Sequence, residues 1–186
     1  MKQELRDLLV AWVVVSLAFA IAQVGFFSIF STAGFLIILA FALTVGIGFI
    51  GHELAHRVVA RRYGCWAEFR ADFQMLTLAI IMSFFGFVFA APGAVYIHGN
   101  VDKRRHGHIA AAGPAANILL AALFLLLLQI VPWPVFWLGA YANAFLAVFN
   151  MLPFGPFDGA KVLRWGWLPY TGMMVASVIL LVMAYS

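Results

Sequence analysis

Six long apolar runs constrain the fold of this 186-residue chain more than any other feature. A run of about 20 apolar residues is long enough to cross the hydrocarbon core of a bilayer as a helix. Hydrophobic residues make up 66% of the chain and charged residues only 10%, so a water-soluble fold would expose a large apolar surface and aggregate. The sequence therefore predicts an all-α polytopic membrane protein with about five to six transmembrane helices. The runs cover approximately residues 8–30, 35–59, 73–97, 109–131, 135–152 and 171–185.

Basic residues lie in the connections between these runs and predict the topology. They occur before the first run, after the second, within residues 100–108, which we expect to form a polar loop, and before the last run. The positive-inside rule places all of these connections in the cytoplasm. The same distribution accounts for the net charge of +4 without a nucleic-acid partner. We therefore expect a multi-pass protein of the cell membrane that contacts the lipid bilayer and does not bind nucleic acid.

The third run must cross the membrane an even number of times if both of its flanks are cytoplasmic. Pro92 and Gly93 interrupt this run. We therefore expect a helix followed by a short re-entrant extended segment over residues 91–98. Irregular backbone at membrane depth needs shelter from lipid, so this segment should line a cavity. The alternative is a single ordinary span whose flanks violate the charge rule.

The second run contains the sequence His52-Glu53-Leu54-Ala55-His56, an H-E-x-x-H motif. Positions i and i+4 share one face of a helix, so both imidazoles can reach one zinc ion. Glu53 can then take a proton from a water molecule at the open coordination position. Ionisable groups inside an apolar span are costly, which favours a functional site. The alternative is an interfacial histidine pair with Glu53 in an ion pair with Arg57.

Asp158 is the candidate for the third protein ligand that zinc requires. It follows Pro153 and Pro156, which break the fifth apolar run, and it precedes Gly159. The predicted topology presents its carboxylate at the cytoplasmic end of that run, level with the two histidines. An N-cap role for Asp158 is the alternative. With His52 and His56 in need of a ligand, we favour a site with one Zn²⁺ per chain.

Three sequence blocks, in order, resemble the site-2 protease family of intramembrane zinc metalloproteases (peptidase family M50). They are His52-Glu53-Leu54-Ala55-His56, Gly113-Pro114-Ala115-Ala116-Asn117, and Asn150-Met151-Leu152-Pro153 with Phe157-Asp158-Gly159. The resemblance implies a three-helix catalytic core in which Asn117 holds the substrate or the oxyanion. An interhelical hydrogen bond is the alternative role for Asn117. The resemblance also implies an extended element that pairs with substrate, which suits Ala94, Val95 and Tyr96.

The resemblance implies hydrolysis of peptide bonds in or near transmembrane segments of membrane proteins. The charge topology places the expected active site near the cytoplasmic side. Many family members carry a PDZ or CBS domain, whereas here we expect a single membrane-embedded metalloprotease domain over residues 1–186. A non-catalytic relative or a metal-binding membrane transporter is the alternative. A transporter would distribute polar ligands along a path through the bilayer, whereas these candidates gather on one side. Nothing in the sequence indicates the natural substrate or the oligomeric state.

Overall fold

A computed structural model describes residues 2–88, 92–99 and 101–185 of the chain. These residues form seven helices and one two-stranded sheet, which confirms the predicted all-α class. The second helix is continuous through a π-helical segment, Ala42–Gly46. In chain order the elements are α1 Lys2–Val24, α2 Thr32–Arg62, β1 Trp66–Ala71, α3 Phe73–Ser83, β2 Gly93–His98, α4 Lys103–Ile130, α5 Pro134–Asn150, α6 Asp158–Trp165 and α7 Trp167–Tyr185.

Four of the helices, α1, α2, α4 and α7, are long and apolar enough to cross a membrane. Helix α5, with 17 residues, lies at the lower limit of a spanning helix. Helix α3 has 11 residues and is about 16 Å long, roughly half the thickness of the hydrocarbon core. Within the described residues, the third apolar run therefore contributes no helix long enough to span the hydrocarbon core.

The third run divides into a short helix and a strand, as the first of the two alternatives expected. Strand β2 lies within the predicted extended segment, whose first residue, Ala91, falls outside the described residues. Its partner β1 was not predicted. The two strands are antiparallel, with Trp66 opposite His98 and Ala71 opposite Gly93. A two-residue alternation in β1 was the missed signal, because buried Ala67 and Phe69 alternate with Glu68 and Arg70.

Helix α4 occupies the centre of the fold, where it packs against α2, α5 and α6. The prediction that residues 100–108 form a polar loop is wrong for most of the segment, since α4 begins at Lys103. The physical reason is a helix cap. The side chain of Asp102 accepts a hydrogen bond from the backbone N–H of Arg105 at 2.7 Å, which satisfies a donor of the first turn.

The amino-terminal turns of α1 hold the small sheet against the second helix. Glu4 Oε1 accepts a hydrogen bond from the backbone N–H of Phe69, and Asp7 Oδ2 accepts one from Ala71, each at 3.4 Å. Glu4 Oε2 also lies 3.2 Å from the guanidinium of Arg57 on α2. Both carboxylates are buried, and they cover the edge of β1 that faces away from β2.

Candidate metal centre

Three buried side chains from two helices converge on one point. His52 and His56 lie one turn apart on α2, and Asp158 is the first residue of α6. The two Nε2 atoms are 3.0 Å apart. Asp158 Oδ2 lies 3.3 Å from Nε2 of His52 and 2.9 Å from Nε2 of His56. Phe157, rather than Asp158, occupies the N-cap position of α6, so the alternative role for Asp158 is not found.

The hydrogen bonds on the far side of each ring fix which nitrogen faces the centre. Nδ1 of His52 lies 2.6 Å from Oδ1 of Asn117, and Nδ1 of His56 lies 2.7 Å from the carbonyl oxygen of Ile109. Neither oxygen can donate, so each Nδ1 carries the proton and donates it. Both Nε2 lone pairs then face each other and a carboxylate oxygen. Such a group of acceptors needs a shared positive charge, which a proton or a metal ion can supply.

The spacing of these three atoms fits zinc. Two ligands bound at about 2.0–2.1 Å in tetrahedral geometry lie roughly 3.3 Å apart, close to the three separations found here. Two imidazoles and one carboxylate leave the fourth position free for water or substrate, which is the pattern of a catalytic zinc site. His52, His56 and Asp158 would therefore hold the ion, and their imidazole and carboxylate donors suit zinc.

Asn117, on α4, is fully buried, and its amide is fixed in one orientation by a chain of hydrogen bonds. Its Nδ2 donates to the carbonyl of Gly48 at 3.1 Å and to Oδ1 of Asn143 at 3.0 Å. Nδ2 of Asn143 in turn donates to the carbonyl of Gly139 at 2.9 Å. The amide oxygen of Asn117 is thereby directed at His52, so that the chain supports the tautomer that zinc needs.

Asn143 lies on α5 and was not identified from the sequence. The signal was present, because an asparagine inside an apolar run is a costly residue that needs a partner. Gly48 makes room for its side chain, since a Cβ at position 48 would overlap Oδ1 of Asn143. The pair therefore joins α2, α4 and α5 at the level of the metal ligands.

Gly113 gives the two imidazoles their space. A Cβ built at this position would contact Nε2 of both His52 and His56 at less than van der Waals distance. Any side chain at position 113 would thus enter the volume in which the ligands converge. The sequence identified Gly113 as part of a family block but not this steric requirement.

Glu53 lies beside the ligands with one carboxylate oxygen unoccupied. The residue is 7% exposed, and its Oε2 has no hydrogen-bond partner among the described residues. Arg57 forms its ion pair with Glu4, so the alternative of a Glu53–Arg57 pair is not found. A buried carboxylate oxygen without a partner is costly, and such exceptions often mark a functional role.

A single cavity brings most of the predicted site residues together. The three ligands, Glu53 and Asn117 line it, as do Ala94 and Val95 of β2, with Pro92, Gly93 and Ile97 beside them. Tyr96 does not line this cavity, and its side chain is 58% exposed. Lys161 also reaches the cavity, where its Nζ lies 3.1 Å from Oδ1 of Asp158.

Comparison with known proteins gives several similar sequences. The chain is 42% identical over 176 residues to "Putative zinc metalloprotease MJ0611" of Methanocaldococcus jannaschii, covering 87% of this chain and 92% of that protein. It is 34% identical over 123 residues to "Putative zinc metalloprotease Rip3" of Mycobacterium tuberculosis, covering 62% of this chain and 28% of that protein. It is 28% identical over 118 residues to "Zinc metalloprotease MJ0392" of Methanocaldococcus jannaschii, covering 61% of this chain and 30% of that protein.

No protein-family model and no solved structure matches the chain. The first similarity nevertheless extends over nearly the full length of both proteins, and the two others share the zinc metalloprotease description. The long apolar helices, the group of residues that could hold zinc and the descriptions of these relatives all indicate a membrane zinc metalloprotease. The chain is a membrane zinc metalloprotease and belongs to the site-2 protease family that its three sequence blocks indicated.

Proposed function

We propose that this protein is an H-E-x-x-H metalloendopeptidase of the site-2 type that cleaves membrane proteins inside the bilayer, in or near their transmembrane segments. The observation that carries the proposal is the depth of the metal centre. At 1.5 Å per residue, His56 and His52 lie about 9 and 15 Å along α2 from its basic end at Arg62. A hydrocarbon core about 30 Å thick would place that centre below the membrane surface.

The chemistry we propose is water attack on a peptide carbonyl. A zinc ion held by His52, His56 and Asp158 would supply the activation of the water and the polarisation of the scissile carbonyl. Glu53 accepts the proton of the attacking water on its unoccupied Oε2 and returns it to the leaving amine. His52 and His56 hold their positions because each Nδ1–H is fixed by a carbonyl or amide oxygen. The ligands and Glu53 are buried, which strengthens the electrostatic interactions among them.

The free edge of β2 supports substrate binding by strand addition. The N–H groups of Phe69 and Ala71 donate to carboxylates of α1, so they face away from β2. The backbone N–H and C=O groups of successive residues point to alternate edges of a strand. The backbone groups of Glu68 and Arg70 therefore point towards β2, where they pair with Tyr96 and Ala94.

Val95 and Ile97 consequently point their N–H and C=O groups towards the other edge of β2. Both residues line the cavity of the metal centre. The other edge of the sheet is covered, since carboxylates of α1 occupy it. An extended substrate could therefore add to β2 alone, next to the metal ligands. Ala94 and Tyr96 would support this pairing through their bonds to β1.

Strand addition answers the main physical problem of cleaving a helix in lipid. A helical substrate hides its peptide groups in i→i−4 hydrogen bonds, and unwinding exposes them at a cost of several kcal/mol each. Backbone groups of β2 would replace the lost partners. The substrates we propose are therefore transmembrane segments that unwind at the site, as in regulated intramembrane proteolysis.

The charges near the site support an orientation in the membrane. The basic residues at the end of α2 and at the start of α4 lie at the ends of these helices nearest the metal centre. By the positive-inside rule we propose that this end faces the cytoplasm of a cell membrane. The active site would then lie near the cytoplasmic side of the bilayer.

Replacing Glu53 by Gln tests the enzymatic role. The change removes the base and leaves all three metal ligands in place. We expect purified Glu53→Gln protein to bind one zinc per chain and to lose cleavage of a transmembrane substrate by at least about 10²-fold. Near wild-type cleavage by this variant would contradict the role of Glu53. Zinc binding with no cleavage by the wild type against a panel of transmembrane substrates would favour a non-catalytic relative or a transporter.

Replacing Val95 by Pro tests strand addition. Proline deletes the outward N–H of Val95 but no bond to β1, a position that an edge strand tolerates. The control, Val95→Ala, keeps the N–H and shortens the side chain. We expect Val95→Pro, but not Val95→Ala, to impair cleavage of a stable helical substrate while zinc stays bound. Substrates carrying helix-breaking residues should suffer less. If Val95→Pro cleaves both kinds of substrate as fast as the wild type does, substrate does not pair with β2.

A further inference from the structure

Three cationic side chains and one histidine line a second cavity between the start of α4 and α6. Lys103 and His106 lie three residues apart on α4, and Lys161 and Arg164 lie three residues apart on α6. Residues at this spacing share one face of a helix, so the two pairs face each other where α4 and α6 pack together. We call these four residues the cationic rim.

The charge of the cationic rim is only partly neutralised. Lys161 contacts Oδ1 of Asp158, whose other oxygen faces the metal centre. The nearby Asp102 pairs instead with Arg105, at 3.6 Å. Among the described residues, no carboxylate forms an ion pair with Lys103 or Arg164. The rim therefore retains positive charge that an anionic ligand could balance.

The cationic rim is continuous with the metal centre. His106 and Lys161 line both cavities, so a ligand in the rim would lie beside whatever occupies the site. A substrate chain that leaves the metal centre at this side would pass the rim within a few residues of the cleaved bond. This continuity favours a substrate side chain over a separate small anion.

We propose that the cationic rim selects the substrate by charge: it binds a carboxylate side chain a few residues from the scissile bond and disfavours Lys or Arg there. This inference rests on the proposed proteolytic function and names a feature of its substrates. Ordinary membrane helices carry Lys and Arg at their cytoplasmic ends. The rim repels such ends, so it would separate substrates from the bulk of membrane proteins.

A charge-exchange experiment tests the proposal with the full chain. One transmembrane substrate is prepared with Glu, Gln or Lys at each position flanking its cleavage site. Wild-type protein should cleave the Glu form at least about tenfold faster, in kcat/KM, than the Lys form at one or two adjacent positions. Lys103→Glu/Arg164→Glu should reverse that preference, and Lys103→Gln/Arg164→Gln should abolish it. The control is Arg61→Glu/Arg62→Glu, which removes two exposed cations that do not line the rim.

Binding separates this proposal from the proposed function. Photo-crosslinking of the same substrates to Glu53→Gln protein reports recognition without turnover and should show the same preference and the same reversal. An identical charge profile in the wild type and the reversed variant, in cleavage and in crosslinking, would overturn the proposal while proteolysis stands. A second outcome would also overturn it: cleavage by the wild type, but not by the reversed variant, that depends on the anionic-lipid content of the vesicles and not on substrate charge. The rim would then be a lipid-headgroup site.

Discussion

Replacing Gly113 by Ala should weaken metal binding without altering any ligand. The new Cβ would lie closer than 3.0 Å to Nε2 of both His52 and His56, so at least one imidazole must move. Overpacking of this kind typically costs about 1–3 kcal/mol. Since the ion needs both Nε2 atoms in place, we expect most of this cost to appear in metal affinity. The corresponding loss is about 5- to 150-fold in the zinc dissociation constant.

Competition with a zinc chelator, using purified protein in detergent, measures that dissociation constant directly. Gly51→Ala is a matched control, because Gly51 precedes His52 on α2 and its Cβ would meet only Cδ1 of Leu120, at 3.7 Å. Alanine there should leave zinc affinity unchanged and could add up to about 1 kcal/mol of helix stability. Unchanged zinc affinity in Gly113→Ala would show that the site has more room than the described geometry allows.

Two further predictions concern residues that act through their neighbours. Asn143→Leu leaves one N–H of Asn117 without its acceptor and loosens the orientation of His52, so zinc affinity should fall about 10- to 100-fold in the same competition assay; an unchanged affinity would refute the hydrogen-bond chain. Glu4→Ala deprives the buried N–H of Phe69 and the guanidinium of Arg57 of their acceptor, which should destabilise the protein by about 1–3 kcal/mol in thermal unfolding. Glu4→Gln, whose amide oxygen can still accept from Phe69, should lose less, and equal losses would show that the acceptor is unimportant.

The metal ligands could be predicted from the sequence because local rules govern them. The i, i+4 spacing of His52 and His56 fixes their common face on any helix, whatever the tertiary packing. Predicting Asp158 as a ligand required a further step. The end of the fifth apolar run had to lie at the same depth in the membrane as the two histidines. Charge topology supplied that step, and the structure places the carboxylate within 3.3 Å of both imidazoles.

The small sheet shows where local rules fail. Strand β2 was expected because Pro92 and Gly93 interrupt an apolar run, but its partner β1 lies between two helices and is only six residues long. Pairing between these strands depends on contacts distant in sequence, including the carboxylates of Glu4 and Asp7. A short strand is therefore hard to predict from its own sequence, because its β-propensity depends on its neighbours in space.

Asn117 shows how a correct location can leave a role open. The family block predicted that its amide holds the substrate or an oxyanion, which requires a free N–H. In the structure both N–H groups have acceptors, the carbonyl of Gly48 and the side chain of Asn143, and the amide oxygen binds His52. These are the interhelical hydrogen bonds that the sequence offered as the alternative role of Asn117. Their partners could not be named in advance, because Asn143 meets Asn117 only after α4 and α5 pack together. A role towards substrate stays a prediction, and it requires Asn117 to exchange one of these partners. Because that exchange would loosen the amide that orients His52, it would couple substrate binding to ligand geometry through this one residue.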